Sequence, residues 1–161
     1  MKHFFDWVES HHLEESFESS YPVKLARGST EVGLTIYDAR TNSGLLEIEI
    51  FQQGRTHVVD FSIDGSFEVM TRAGEPFKIL ATVMKAMEMF IDLHARERGK
   101  PPKSFMITSN KDSYTDPDSG SKRHNVYIRI VKRFARNFGY SMVSVQDDRT
   151  TGQMKIVLKK D

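Results

Sequence analysis

From residue 31 to residue 70 apolar and polar positions alternate in short runs: "EVGLTIYDAR", "GLLEIEIFQ", "RTHVVDFSI" and "SFEVM". In the second run Leu46, Ile48 and Ile50 alternate with Leu45, Glu47, Glu49 and Phe51. That period of two places successive side chains on opposite faces of a strand. The junctions hold turn formers, Thr41-Asn42-Ser43-Gly44, Gln53-Gly54 and Asp64-Gly65, so the runs read as an antiparallel meander. After residue 75 the period changes. Phe77, Leu80, Met84, Met87 and Ile91 form one apolar row, and Ile79, Val83, Ala86, Phe90 and Leu93 form another. Only Lys78, Thr82, Lys85 and Asp92 remain as a polar stripe, which predicts a helix over 76–98 nearly engulfed by the sheet. Pro76 suits the first helical position, where its missing N–H costs nothing. Gly99 and Pro101-Pro102 stop the helix. Met84, Met87 and Met89 fall at helical spacing and read as core filler.

"KSFMITSN" reads as the next strand and "KDSYTDPDSGSK" as a polar loop rich in turn formers. "RHNVYIRIVKRFARNFGY" is a second amphipathic helix, with Val126, Tyr127, Ile130, Val131, Phe134, Ala135 and Phe138 inward and Gly139 closing it. The strands "SMVSVQD" and "QMKIVLKK" then form a hairpin through "DRTTG". Ahead of the meander, residues 3–18 predict a short helix with Phe4, Trp7, Val8 and His11 on one side. Pro22 ends it by pushing Tyr21 into extended geometry. The expectation is a single α/β (α+β) domain over 1–161. Residues 1–20 form its helical segment, and 30–161 form a core built on a mixed, mostly antiparallel sheet. The strand "SFEVM", led through helix 76–98 to the strand at 103–109, makes a crossover that predicts a parallel neighbour pair.

Composition narrows the chemistry. The 161 residues include no cysteine, so disulfides, thiolate metal sites and cysteine nucleophiles are excluded. The N-terminus, with Asp6, Glu9, Glu14, Glu15 and Glu18 among its aromatics, does not resemble a secretory signal, and no run is long enough to span a bilayer. A soluble cytoplasmic protein is expected. A net charge of +1 argues against a dedicated nucleic-acid binder. The average hides a polarity, because the acidic N-terminus contrasts with Lys122, Arg123, Arg129, Lys132, Arg133 and Arg136. Arg129, Lys132, Arg133 and Arg136 share one helix face, which attracts phosphates or is simply solvated. His11 and His12 point about a hundred degrees apart on a helix, and His57, His94 and His124 lie far apart in sequence, so no metal framework is expected.

The segment Thr71-Arg72-Ala73-Gly74-Glu75 joins the last meander strand to the buried helix. Unpaired N–H groups at a helix start, together with the helix dipole, attract an anion wherever small residues permit close approach. Ala73 and Gly74 are small, and Arg72 adds a charge. Glu75 puts a competing carboxylate at the same end.

From about residue 55 onward this order of elements resembles the GNAT-type N-acyltransferase core: strand, pyrophosphate loop, long helix, strand, tyrosine-bearing helix, hairpin. The family's loop pattern, Gln/Arg-x-x-Gly-x-Gly/Ala, is met at Gly74, while Thr71 and Pro76 depart from it. The second helix follows the family's Arg or Asn, then Tyr, then Gly-Phe/Tyr pattern, ending here in Gly139-Tyr140. The whole chain also resembles a group of small bacteriophage proteins. The shared features are a Tyr-Pro-x-Lys (Tyr21 to Lys24), a loop of the Thr-Gly-x-Gly-Asp-Ala-Phe kind before "ATV", and an Arg-x-x-x-Tyr (Arg123 and Tyr127).

The resemblance implies an acyl-CoA site with acetyl-CoA as cofactor. Backbone groups of Val69 and Met70 would lie beside the thioester and pantetheine, and Thr71, Arg72, Ala73, Gly74 and Glu75 would form the pyrophosphate loop. Tyr127 would protonate the leaving thiolate, its ordinary pKa of about 10 keeping it protonated at neutral pH. Glu68 is the nearest base, with Asp60 or His57 acting through water as substitutes. Tyr127 also reads as a core residue, and Glu68 as the solvent side of a strand. The expected activity is acetyl transfer to a host protein or small amine. The alternative is a non-catalytic protein of the same fold that binds a host macromolecule through its acidic N-terminal segment or basic second helix.

Overall fold

The structure is a computed structural model and describes residues 20–65, 76–110, 117–148 and 153–161. In chain order the elements are β1 (Lys24–Ser29), β2 (Leu34–Thr41), β3 (Gly44–Gln53), β4 (Thr56–Ile63), α1 (Pro76–Arg98), β5 (Ser104–Asn110), α2 (Pro117–Phe138), β6 (Tyr140–Asp148) and β7 (Gln153–Lys160). The strands form one seven-stranded sheet in the order β1-β2-β3-β4-β5-β7-β6. Every neighbour pair is antiparallel except β4 with β5. The class is therefore mixed α and β with a mostly antiparallel sheet, as the patterning predicted.

The meander closes as its turn residues require. Thr41 pairs with Gly44 and Gln53 with Thr56 across two-residue turns. The Thr41 hydroxyl donates to Gly44 O at 2.8 Å. Along β3 burial alternates strictly from Leu46 to Phe51, with Leu46, Ile48 and Ile50 buried. These residues share one face with Tyr37, Ala39, Val59, Phe61 and Ile63. The same core takes in Leu80, Val83, Met84, Met87 and Phe90 of α1 and Tyr127, Ile130, Val131 and Phe134 of α2. Both helices thus cover one face of the sheet, and burial of these side chains at ~1.5–3 kcal/mol each is the main favourable term.

Four features depart from the expectations. The parallel partner of β5 is β4, the run at 56–63; the run "SFEVM" and the rest of 66–75 lie outside the described residues. β1 was not foreseen, because its exposed positions show no alternation, and it extends the sheet back beyond residue 30. The second helix starts at Pro117, inside the stretch expected to be loop, with proline at the first helical position as at Pro76. Thr82, assigned to the polar stripe, is fully buried. Its hydroxyl donates to Lys78 O at 2.7 Å and accepts from Tyr21 N at 3.0 Å, so it is satisfied without solvent. The N-terminal helix expected over 3–18 lies outside the described residues. Among the described residues no helix is long and apolar enough to cross a membrane.

Candidate functional site: a fork between parallel strands

β4 runs to Ile63 and β5 to Asn110, yet only three rungs join them: His57 with Phe105, Val58 with Met106, and Val59 with Ile107. Beyond Val59 and Ile107 each strand stays with its outer neighbour. β4 holds β3 as far as Ile63 with Leu46, and β5 holds β7 as far as Asn110 with Gln153. The sheet therefore forks in its middle. Main-chain N–H and C=O groups of β4 that turn toward β5 past this point have no strand partner among the described residues. Such groups pair with water or with a ligand, because leaving them bare costs ~1–3 kcal/mol each.

The apex of the fork is polar. The Thr108 hydroxyl donates to the Asp60 carboxylate and reaches Val59 O at 3.4 Å. Asp60 lies on the face away from the helices, since Val59 and Phe61 on either side of it belong to the helix-side core. Burial, and then the neighbouring Glu49 across the β3–β4 ladder, push its carboxyl above the usual carboxylate range. A carboxyl so placed holds a proton more readily than an ordinary carboxylate does, which suits a proton acceptor.

His57 does not share this position. It faces the core, 7 % exposed, with its ring 5.1 Å from Phe90, 5.2 Å from His94 and 6.3 Å from Phe105. Burial first, then His94 and Arg98, bring its imidazole down to about 4. His94 Nδ1 donates to Lys100 O at 2.6 Å, which fixes its tautomer. The fold thus brings together two histidines that sequence spacing left far apart. Among the described residues no group of three or more metal-binding side chains forms.

Tyr127 is fully buried in the helix-side core. Glu68, Val69, Met70, Thr71, Arg72, Ala73, Gly74 and Glu75 lie outside the described residues, as does the side chain of Arg123. The helix start that Thr71–Glu75 lead into is described. The first turn of α1 holds no acidic residue, and Lys78 stands in it with Nζ 4.2 Å from the Tyr21 ring centre. On α2, Arg129, Lys132 and Arg136 are exposed and Arg133 is half-buried. Thr108 was missed from sequence; its partner lies 48 positions away. The available signal was Asp60 itself, a lone carboxylate inside the apolar run "VVDFSI".

No family model matches the chain, and no curated protein does. Among solved structures it is similar to a candidate acetyltransferase from Sphaerobacter thermophilus DSM 20745. The two share 12% sequence identity with a TM-score of 0.42, over 95% of this chain and 88% of the other. A likeness that loose carries no argument about the site.

Proposed function

We propose that the chain binds an acyl-CoA, with acetyl-CoA as the first choice, in the fork between β4 and β5 and transfers the acyl group to an amine. The observation that supports this reading is the three-rung parallel ladder that ends at Val59 and Ile107 with the Asp60–Thr108 bond at its apex. The pantetheine arm is an extended chain bearing amides, so it suits unpartnered main-chain groups of β4 as a short added strand would. The first turn of α1, free of acidic side chains, favours a diphosphate at the helix start. In this reading residues 69–75 hold the diphosphate and the thioester end.

When bound, acetyl-CoA supplies an activated acyl group, so the protein's task is mainly to place and deprotonate the amine. Asp60 accepts the amine's proton, directly or through water, and its raised affinity for protons matches that role. Thr108 holds the carboxylate in position through its hydroxyl. Tyr127, fully buried on the helix side of the sheet, would be the residue to supply the proton that the leaving thiolate takes. Glu68 is the alternative base. A host protein or a small amine remains the proposed acceptor.

The test is thermal unfolding with and without acetyl-CoA. A ligand at a hundred times its Kd adds about 2.7 kcal/mol, which for a chain of this size raises the melting temperature by roughly 5–10 °C. No rise at millimolar acetyl-CoA removes the enzyme reading. It leaves the rival, a docking protein that acts through its surface.

A further inference from the structure

At the far edge of the sheet, Pro22, Val23, Lys24, Asp38, Ala39, Arg40 and Leu45 line an open groove of about 370 Å³. Its walls are held in place by contacts already formed. Tyr21 N donates to Thr82 on α1, and Asn42 N donates to the Tyr21 hydroxyl at 3.4 Å, so the 20–24 segment is tied at both sides. The groove does not depend on the fork, which lies at the other side of β3.

Its charges are arranged in an unusual way. Asp38 Oδ1 is a buried atom with no hydrogen-bond partner among the described residues. Lys24 is its direct cross-strand neighbour, and Arg40 follows two positions along β2 on the same face. Directly opposed residues place their Cβ atoms about 5 Å apart, and alternate residues on one strand lie about 7 Å apart. Both cations are exposed and belong to long side chains that reach solvent, yet they leave Oδ1 unmatched. A buried carboxylate oxygen without a donor is costly, and its natural complement is a compact N–H donor that enters the groove. An anion at the other end of the same ligand would meet Lys24 and Arg40. Pro22, Val23, Ala39 and Leu45 supply an apolar wall between them.

We infer that this groove is a binding site for a small amino-acid-type zwitterion with an apolar side chain, its ammonium on Asp38 and its carboxylate between Lys24 and Arg40. The volume is at the lower end of ligand pockets, which fits a ligand of that size rather than a nucleotide.

Isothermal titration of the full chain, in the absence of any cofactor, with L-leucine and L-phenylalanine tests this directly. N-acetyl-L-leucine and L-leucinamide serve as end-blocked controls. The expected result is saturable binding of at least one free amino acid, weakened about tenfold or more by either block and by Asp38→Asn. Amide chemical shifts should move at 23–24 and 38–45. Binding of neither amino acid at tens of millimolar, equal binding of the blocked forms, or unchanged affinity in Asp38→Asn overturns the proposal. So do chemical-shift changes confined to other parts of the sheet. Circular dichroism of Asp38→Asn establishes that it folds, and should it not, Lys24→Gln and Arg40→Gln must weaken leucine binding for the proposal to stand.

Discussion

Two ionisable groups on one strand, three positions apart, are driven in ways that make opposite predictions. His57 takes up a proton near 6.5 when unfolded and only near about 4 when folded. Between those values the unfolded chain holds more protons, so the contribution of His57 to stability is complete above about 6.5 and is lost as pH falls toward 4. At ~1.4 kcal/mol per pKa unit the loss reaches about 2 kcal/mol by pH 5. His57→Phe, packed against Phe90 and Phe105, should flatten this acid limb. Urea unfolding at pH 7 and pH 5 reads it, and an equal acid loss in the variant removes His57 as the cause. Asp60 behaves in the other sense. Its folded carboxyl keeps a proton longer than the unfolded one, so its contribution to stability falls as pH rises through the folded pKa. Asp60→Asn still accepts from Thr108 and carries no charge to desolvate. It should be at least as stable as wild type at pH 7. If Asp60 is the base, acetyl transfer should fall about a hundredfold or more in the same variant. A large loss of stability would instead mark Asp60 as a structural carboxylate.

Elements differ in how plainly the chain announces them. β3 was legible because one face of it is buried, which imposes a period of two, and α1 because apolar rows at helical spacing run nearly all round it between Pro76 and Gly99. β1 was not, because an edge strand with nearly all of its side chains exposed needs no pattern. The first turns of α2 were hidden for a different reason: "PDSGSK" is turn-forming by composition, which does not tell a loop from a helix start. The fork apex lay beyond sequence reasoning, since Asp60 and Thr108 meet only through the crossover. Thr82 shows the same limit at a helix. It sits in the polar stripe of α1 by pattern, yet it is the pin that ties residues 20–24 to that helix. Thr82→Val keeps shape and removes the Thr82 hydroxyl as acceptor for Tyr21 N. The expected cost is ~1–2 kcal/mol, with faster amide exchange at Tyr21, Val23 and Lys24 and little change in β3 or β4. Unchanged exchange at Tyr21 would show that the strap is held by its other contacts.

Among the described residues the flanking ladders run nearly the length of their strands, with register shifts at Leu25/Arg27 and Met142/Ser144, and the short ladder is the β4–β5 one in the middle. β1 to β4 form one antiparallel block and β5, β7 and β6 another, with a short parallel seam between them. The two blocks share the core under α1 and α2. A fold that only needed stability would extend that ladder, since every added rung satisfies main-chain groups that have no strand partner among the described residues. The interruption therefore has a specific signature. Without ligand, amides of 60–63 that turn toward β5 should exchange with solvent faster than those of β3, although both lie mid-sheet. Acetyl-CoA should slow these amides and those of 108–110, and leave the 34–41 and 44–53 ladders as they were. Protection confined to the surface of α2 would move the binding site to its basic face. Slow exchange at 60–63 in the free protein would mean that the fork is already closed, and no acyl carrier could enter it.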